Sequence, residues 1–469
     1  MEKHHIVVVP SAGFTQLVPI IEFSKRLIHL HPQFEITCII PSIGSPPSSS
    51  KSYLQTLPPS ISSIFLPPII LDQVPNDEIL AMQIELSVKY SLPHIKQELK
   101  SLCSRSKVVA LIVDVFAHDA LDLAKELNLL SYVYFSLAAM LLCNHLYSSK
   151  VDEILSNESR DPNEPVKFPG CVPLYAKDLP LPFKLRFSNA YKNFNERAKR
   201  INLTDGVFVN SFVELEVEAI SALKEEIRGS NKPKVFYVGP IIQKGSIFGE
   251  ENGLGLECLK WLEKQEPKSV LYVSFGSGGT LSQEQFNELA YGLELSGQKF
   301  LWVVREPNGV ANASYFGGEI EDPLKFLPNG FLERTKEQGS VVPNWCPQIQ
   351  ILGHSSTGGF LSHCGWNSIL ESVVCGVPII AWPLFADQGM NAAMLCNGAK
   401  VALRPKVNEN GLVERDEIAS VVRELMEGEE GLEIRKRMDN LKKFAVDTMD
   451  DKGSSTKALS EVASIWKNI

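Results

Sequence analysis

Ile6-Val7-Val8-Val9-Pro10-Ser11-Ala12-Gly13 and, further on, Phe34-Glu35-Ile36-Thr37-Cys38-Ile39-Ile40 are the two stretches that decide the fold. The first is a β-branched apolar run closed by a small-residue turn. It is too short for a signal peptide or a membrane span and suits a buried strand. Between the two, Leu17, Ile20, Ile21, Ser24 and Leu27/Ile28 recur at helical spacing, which predicts an amphipathic helix from about Leu17 to Leu30. Strand, helix, strand in that order is a βαβ unit. It needs a right-handed crossover and implies a parallel sheet covered by helices.

The apolar runs that follow repeat the scheme. Val108–Val113, Ser131–Phe135, Gly206–Asn210 and Val235–Val238 read as further strands, and the Pro- and Ser-rich Pro41–Ser50 as a loop. After Gly239-Pro240 periodicity disappears, so 241–255 reads as a linker. A second alternating series opens with Val270–Ser274 and a glycine-rich turn, Phe275-Gly276-Ser277-Gly278-Gly279. A helix over Ser282–Ser296 and strands at Phe300–Val304, Ser340–Val342, Gly359–Leu361, Pro378–Trp382 and Lys400–Leu403 complete it. Arg305–Pro328 is a long loop of the kind that often carries function. The expected fold is α/β: two facing, doubly wound, Rossmann-like domains with an interdomain cleft at the strand carboxyl ends. The expected boundaries are 1–240 for the first domain and 256–450 for the second. A last helix within 451–469 is expected to pack back on the first domain.

Bulk properties bound the function. A length of 469 residues suits two domains of about 200–240 residues each. A net charge of −9 excludes proteins that bind nucleic acid through a basic face. The nine cysteines are odd in number and lack close CxxC pairs, which argues against a disulfide framework or a structural zinc site. Reduced thiols fit a cytoplasmic protein. The longest apolar candidate, Ser131–Cys143, is broken by Tyr132, Tyr134 and Ser136, so no membrane span is expected. A monomer is expected.

Gly358-Gly359-Phe360-Leu361-Ser362-His363-Cys364-Gly365-Trp366-Asn367-Ser368-Ile369-Leu370-Glu371 carries the chemistry. A strand ends near His363, Gly365 turns the chain, and a helix begins around Asn367. A helix start offers unpaired N–H groups and a positive dipole end to an anion, and Asn367 and Ser368 add side-chain donors. His363 can hydrogen-bond a diphosphate oxygen. Glu371, four residues after Asn367, shares its helical face and can accept from both hydroxyls of a ribose. The plainer alternative is that Asn367 or Ser368 only caps the helix and Glu371 is a surface charge.

Trp345-Cys346-Pro347-Gln348 upstream and Asp387-Gln388 downstream extend the pattern to 44 residues. With WCPQ, HCGWNS, LESV, GVPI and DQ in place, the stretch resembles the signature box of plant UDP-dependent glycosyltransferases. PSAG, Val113-Asp114 and FGSGGT extend the resemblance over the chain, which is most similar to glucosyltransferases of hydroquinone and related phenols. The resemblance implies the two-domain GT-B fold and UDP-glucose as co-substrate, with no cofactor. It implies that Trp345 stacks on uracil, that Gln348 and the backbone at Cys346 read the base and ribose, and that Glu371 holds the ribose. His363, Asn367, Ser368 and Ser277 would hold the diphosphate. Trp366, Asp387, Gln388 and Ser136 would meet the sugar. No DxD triplet occurs, so no metal is expected, and family members transfer with inversion from an α-linked donor to a β-glucoside.

The pattern breaks at one position. Family members carry a general-base His after the first glycine-rich turn, oriented by an Asp. Asp114 is present, but Ser11-Ala12-Gly13-Phe14-Thr15-Gln16-Leu17 places Gln16 where the His belongs. An amide cannot accept a proton near neutral pH. Three explanations follow: an engineered variant that traps bound acceptor, an enzyme in which Asp114 or water takes the proton, and a non-catalytic relative that binds UDP-sugar and phenol. Phe116, Phe183 and Tyr315 are the candidates for an aromatic acceptor pocket. A dinucleotide oxidoreductase, the rival on fold, lacks a full GxGxxG turn with an acid about twenty residues on.

Overall fold

The computed structural model describes residues 4–69, 80–156, 161, 163–243, 253–312 and 322–469. Contacts divide the chain into two compact units. The first holds Met1–Pro173, Leu181–Gln243 and Ala445–Ile469; the second holds Leu174–Pro180 and Lys244–Phe444.

The first unit is built on a parallel sheet of β1 (His4–Val9), β2 (Phe34–Ile40), β3 (Ile61–Phe65), β4 (Lys107–Asp114), β5 (Leu130–Phe135), β6 (Gly206–Val209) and β7 (Lys234–Tyr237). Their spatial order is β3-β2-β1-β4-β5-β6-β7. Ile6 to Val9 are fully buried, which is why this central strand reads as a continuous apolar run instead of an alternating one. Helix Phe14–Leu30 buries Leu17, Ile20, Ile21, Ser24, Leu27 and Ile28, the face expected from spacing. The last helix, Ser454–Lys467, joins the same core: Trp466 packs edge-on against Phe34 and Tyr132 at 5.8 and 5.4 Å.

The second unit repeats the plan with β8 (Val270–Ser274), β9 (Lys299–Val304), β10 (Gly339–Pro343), β11 (Thr357–Ser362), β12 (Ile379–Ala381) and β13 (Ala402–Leu403), in the order β10-β9-β8-β11-β12-β13. In each sheet the order reverses between two neighbouring parallel strands, β1 and β4 in one and β8 and β11 in the other. Outside the carboxyl end of such a reversal the flanking loops part, and ligands bind there.

The boundaries differ from expectation in three places. Residues 253–255 of the expected linker already belong to helix Gly253–Leu262, while 244–252 lie outside the described residues. The return to the first unit begins at Ala445, inside helix Glu429–Met449. Leu174–Pro180, expected in the first domain, groups with the second unit. Its turn Ala176–Asp178 packs on helix Gln388–Ala393 so closely that a methyl group at Gly389 would meet the Asp178 backbone at 2.8 Å. Arg404 pairs with the buried Asp178 at 2.7 Å. This docking depends on residues more than two hundred positions apart, about which local periodicity is silent.

Candidate active site

At the reversal of the second sheet, β8 runs into Phe275-Gly276-Ser277 and β11 into His363-Cys364-Gly365. Gly276 is left-handed (φ 75°) and Ser277 is exposed. A methyl group at Gly276 or at Gly365 would lie 2.5 Å from Nε2 of His363, so the two glycines let the backbone close on both sides of the imidazole. Burial, reinforced by the charge of Arg305, lowers the His363 pKa to about 4. A neutral imidazole can donate through one ring nitrogen and accept through the other. Helix Trp366–Cys375 starts immediately after, with Gly365 at its cap position and no side chain capping it. Asn367 and Ser368 thus lie within the first turn and do not cap it, and a helix start of this kind offers N–H groups to an anion.

The neighbouring loop comes from β10. Asn344 is left-handed (φ 62°) and donates its N–H to Val304 O at 2.8 Å, which turns the chain into Trp345, a half-buried side chain outside the core clusters. Cys346 is buried with Sγ 3.1 Å from Tyr272 Oη, so it can offer a ligand only its backbone. Gln348 ties the region together. Its amide oxygen accepts from Tyr272 Oη at 3.3 Å, and its amide nitrogen donates to Ser368 Oγ at 2.9 Å and Glu371 Oε2 at 2.7 Å. Burial raises the Glu371 carboxyl to about 7, against the bond from Gln348. Beyond β12, Gln388 uses its amide oxygen to accept from the N–H groups of Leu384 and Phe385 at 2.8 and 2.9 Å, leaving its amide nitrogen as the donor it can offer. Asn391 bridges Asp387 Oδ2 (3.1 Å) and Cys364 O (3.0 Å), and burial raises the Asp387 carboxyl. Trp366 is buried, 3% exposed.

In the first unit the corresponding reversal places Ser11, after β1, beside Asp114, the last residue of β4. Asp114 is 1% exposed. Its Oδ2 accepts from Ser11 N at 2.6 Å and Ser11 Oγ at 2.7 Å, and its Oδ1 from the N–H groups of Phe116 and Ala117, both at 2.9 Å. Burial raises its pKa and these four donors lower it. Among the described residues no hydrogen bond joins Asp114 to Gln16. Phe116 is half-buried, and Ser136 follows β5 in a buried position. Phe183 is not an open surface: it is 4% exposed and packs its ring on Phe168 and Phe194 at 5.5 and 5.0 Å, so it belongs to the aromatic core. Tyr315 lies outside the described residues.

The profile of the family described as "UDP-glucoronosyl and UDP-glucosyl transferase" matches residues 236–433. Over 466 residues, covering 99% of this chain and 98% of the relative, the chain is 49% identical to a hydroquinone glucosyltransferase of Rauvolfia serpentina. The chain belongs to the UDP-glycosyltransferase family. Two solved family members agree in fold. One is a UDP-glucosyltransferase from Polygonum tinctorium capable of glucosylating indoxyl, in complex with 3,4-dichloroaniline (47% identity, TM-score 0.90, 99% of each chain). The other is UGT2 of Phytolacca americana complexed with UDP-2fluoro-glucose and pterostilbene (45% identity, TM-score 0.89, 99% of this chain and 100% of that one).

This UDP-glycosyltransferase thus has the GT-B pair of parallel-sheet α/β units, and its family match contains the whole of Trp345 to Gln388. Three residues of the candidate site escape a reading of the motif alone. Ser11 is the partner of Asp114, and Tyr272 anchors Gln348. Arg305, at the carboxyl end of β9, is the third. Burial lowers its pKa while Tyr272 and Cys346 raise it, and its charge is felt at His363. A cation directly after the apolar run Phe300–Val304 is the signal that marks it. Among the described residues no group of three His, Cys, Asp or Glu is placed to hold a metal ion, and no helix is long and apolar enough to cross a membrane.

Proposed function

We propose that this chain transfers glucose from UDP-glucose to a hydroxyl of a small phenol, with inversion, giving a β-glucoside. The observation that carries the proposal is the single cluster of Gln348, Ser368 and Glu371 beside the glycine-flanked His363 at one strand reversal. Such a cluster suits a uridine diphosphate: an aromatic platform at Trp345, base and ribose contacts from the Cys346 backbone and Gln348, and a carboxylate for the ribose at Glu371. Ser277, His363, Asn367 and Ser368 hold the diphosphate, and Trp366, Asp387 and Gln388 hold the sugar. The charge that develops on departing UDP meets the helix start, the imidazole N–H and Arg305. Fixed donors of this kind stabilise a leaving group without a metal.

The phenolic class is the one named for the Rauvolfia relative, at 49% identity. Removal of the acceptor proton is the weak step. Gln16 cannot take it, and the oxygens of Asp114 are already engaged by four donors. Since a general base contributes about 10²–10⁴-fold, transfer is slow and favours phenols that ionise readily. The same observation favours a second reading, a relative that binds UDP-sugar and phenol without turnover. Incubating UDP-glucose and hydroquinone with the chain and with Gln16→His, and weighing the products by mass spectrometry, decides between the two. Glucoside from both forms, more from Gln16→His, is expected; none from either, with donor still bound, overturns the enzyme reading.

A further inference from the structure

The interior of the first unit holds a charge cluster that sugar transfer does not use. Glu85 stands on helix Leu80–Arg105 and Arg197 on helix Asn189–Ile201, and both are buried. The Arg197 guanidinium donates to Glu85 Oε1 through Nε at 3.0 Å and lies 2.6 Å from it through Nη2. Asn193, one turn earlier, donates to Glu85 Oε2 at 3.0 Å, and Nε2 of the buried His118 lies 3.5 Å from Oε1. An ion pair buried so deeply returns little stability, because desolvation offsets the Coulomb attraction. Its place in the fold asks for another reason.

The guanidinium carbon lies 5.1 Å from the centroid of the Phe116 ring. The Phe116 N–H is bound at 2.9 Å by Asp114 Oδ1. One carboxylate therefore fixes the backbone of Phe116, and a cation held by a second carboxylate covers one side of its ring. A cation against one face of a phenyl ring draws π density toward itself, which leaves the opposite face less negative. A face so depleted stacks more favourably with an electron-rich ring than with an electron-poor one.

We propose that acceptor rings stack on the face of Phe116 away from Arg197, and that the Glu85–Arg197 pair thereby selects electron-rich phenols, those carrying hydroxyl or alkoxyl substituents. Phe116 makes the contact; Arg197 and Glu85 are positioning residues that act through it. The inference rests on the reading of this unit as the acceptor side. It has a consequence opposite to that of the missing base. Binding improves with electron-donating substituents, while turnover without a base improves with electron-withdrawing ones.

The test is a binding series with the full chain saturated with UDP, using para-methoxyphenol, para-methylphenol and para-chlorophenol. It compares wild type, Arg197→Met, and the double variant Glu85→Leu/Arg197→Met, which leaves neither charge buried without its partner. Wild type should bind the methoxy compound more tightly than the chloro compound by about threefold, within the scale of a ring–cation contribution. The preference should vanish in both variants while the UDP dissociation constant stays the same. A wild type with no such preference, or a folded variant that keeps it, overturns the proposal. Glucoside formation followed in parallel keeps the two readings apart. A substituent preference without glucoside from wild type or Gln16→His sinks the transferase reading alone, and glucoside without the preference sinks this inference alone.

Discussion

Ser11 and Asp114, at the ends of neighbouring strands β1 and β4, are joined by two hydrogen bonds to one carboxylate oxygen, from the serine N–H at 2.6 Å and from its hydroxyl at 2.7 Å. With Phe116 and Ala117 on the other oxygen, Asp114 has as many donors as a carboxylate ordinarily accepts. It is satisfied without any help from position 16. The carboxylate pins the two loops that flank the strand reversal, and a base introduced at position 16 has to share it with Ser11.

Gln16→His should therefore raise kcat on a simple phenol by at least about tenfold, part of what a general base supplies, with the UDP dissociation constant unchanged. Adding Ser11→Ala, which frees one lone-pair site on Asp114, should raise kcat further while lowering stability by about 1–3 kcal/mol for the lost buried bond. Steady-state kinetics and denaturant unfolding measure the two effects. Equal rates for wild type and Gln16→His would remove position 16 from the mechanism.

His363 gives a second prediction, because the glycines beside it differ. Gly276 has a positive φ of 75°, so a substitution there strains the backbone as well as crowding the ring. Gly365 sits at φ −65°, ψ 139°, open to any residue, so Gly365→Ala places a methyl 2.5 Å from Nε2 and changes little else. UDP-glucose affinity should fall about tenfold or more as the imidazole is displaced, while unfolding free energy drops by no more than about 1 kcal/mol. Calorimetric binding beside a thermal melt reads both. Unchanged affinity would take His363 out of the donor site.

How far these relationships could be read in the sequence depends on where the interacting groups lie along it. Ile6–Val9 and Val270–Ser274 announce themselves because central parallel strands are buried on both faces and become unbroken apolar runs. The proposed donor cluster is legible because one strand–turn–helix segment and its near neighbours, Trp345 to Gln388, supply nearly all of it. The pairs Ser11–Asp114, Glu85–Arg197 and Asp178–Arg404 bring together charges and donors a hundred or more residues apart, and no local period encodes them. Phe183 was readable only as an aromatic residue; whether such a ring faces a pocket or the core is decided by Phe168 and Phe194.

As the proposed ribose partner, Glu371 should make donor binding depend on pH, with a definite sign. Its carboxyl is raised to about 7 by burial, and ribose hydroxyls donate best to the ionised form, so binding favours loss of the proton. Affinity should be flat above about pH 8, and should fall toward tenfold per unit as pH drops below about 7. UDP-glucose is the ligand to use, because its diphosphate diester does not titrate in this range. Glu371→Gln should bind more weakly at high pH and lose the dependence. Calorimetry in buffers of different protonation enthalpy should show proton release by wild type near pH 7; no release would mean that this carboxyl does not meet the ligand.

Phe183 and Phe116 should separate stability from acceptor recognition. Phe183 is packed between Phe168 and Phe194, and Phe194 in turn lies 4.6 Å from the ring of the buried His145. Truncating a core phenylalanine to alanine costs about 3–5 kcal/mol, so Phe183→Leu is the gentler probe: it should lower the melting temperature and leave the KM for phenols alone. Phe116 is half-buried, and its tie to Asp114 runs through the backbone, which a substitution preserves. Phe116→Ala should therefore cost less stability while raising the KM for phenols severalfold, with UDP binding intact. The two variants should cross, one losing stability and the other acceptor affinity. If Phe183→Leu instead raises KM at unchanged stability, the acceptor reaches past the aromatic core and its ring meets Phe183 directly.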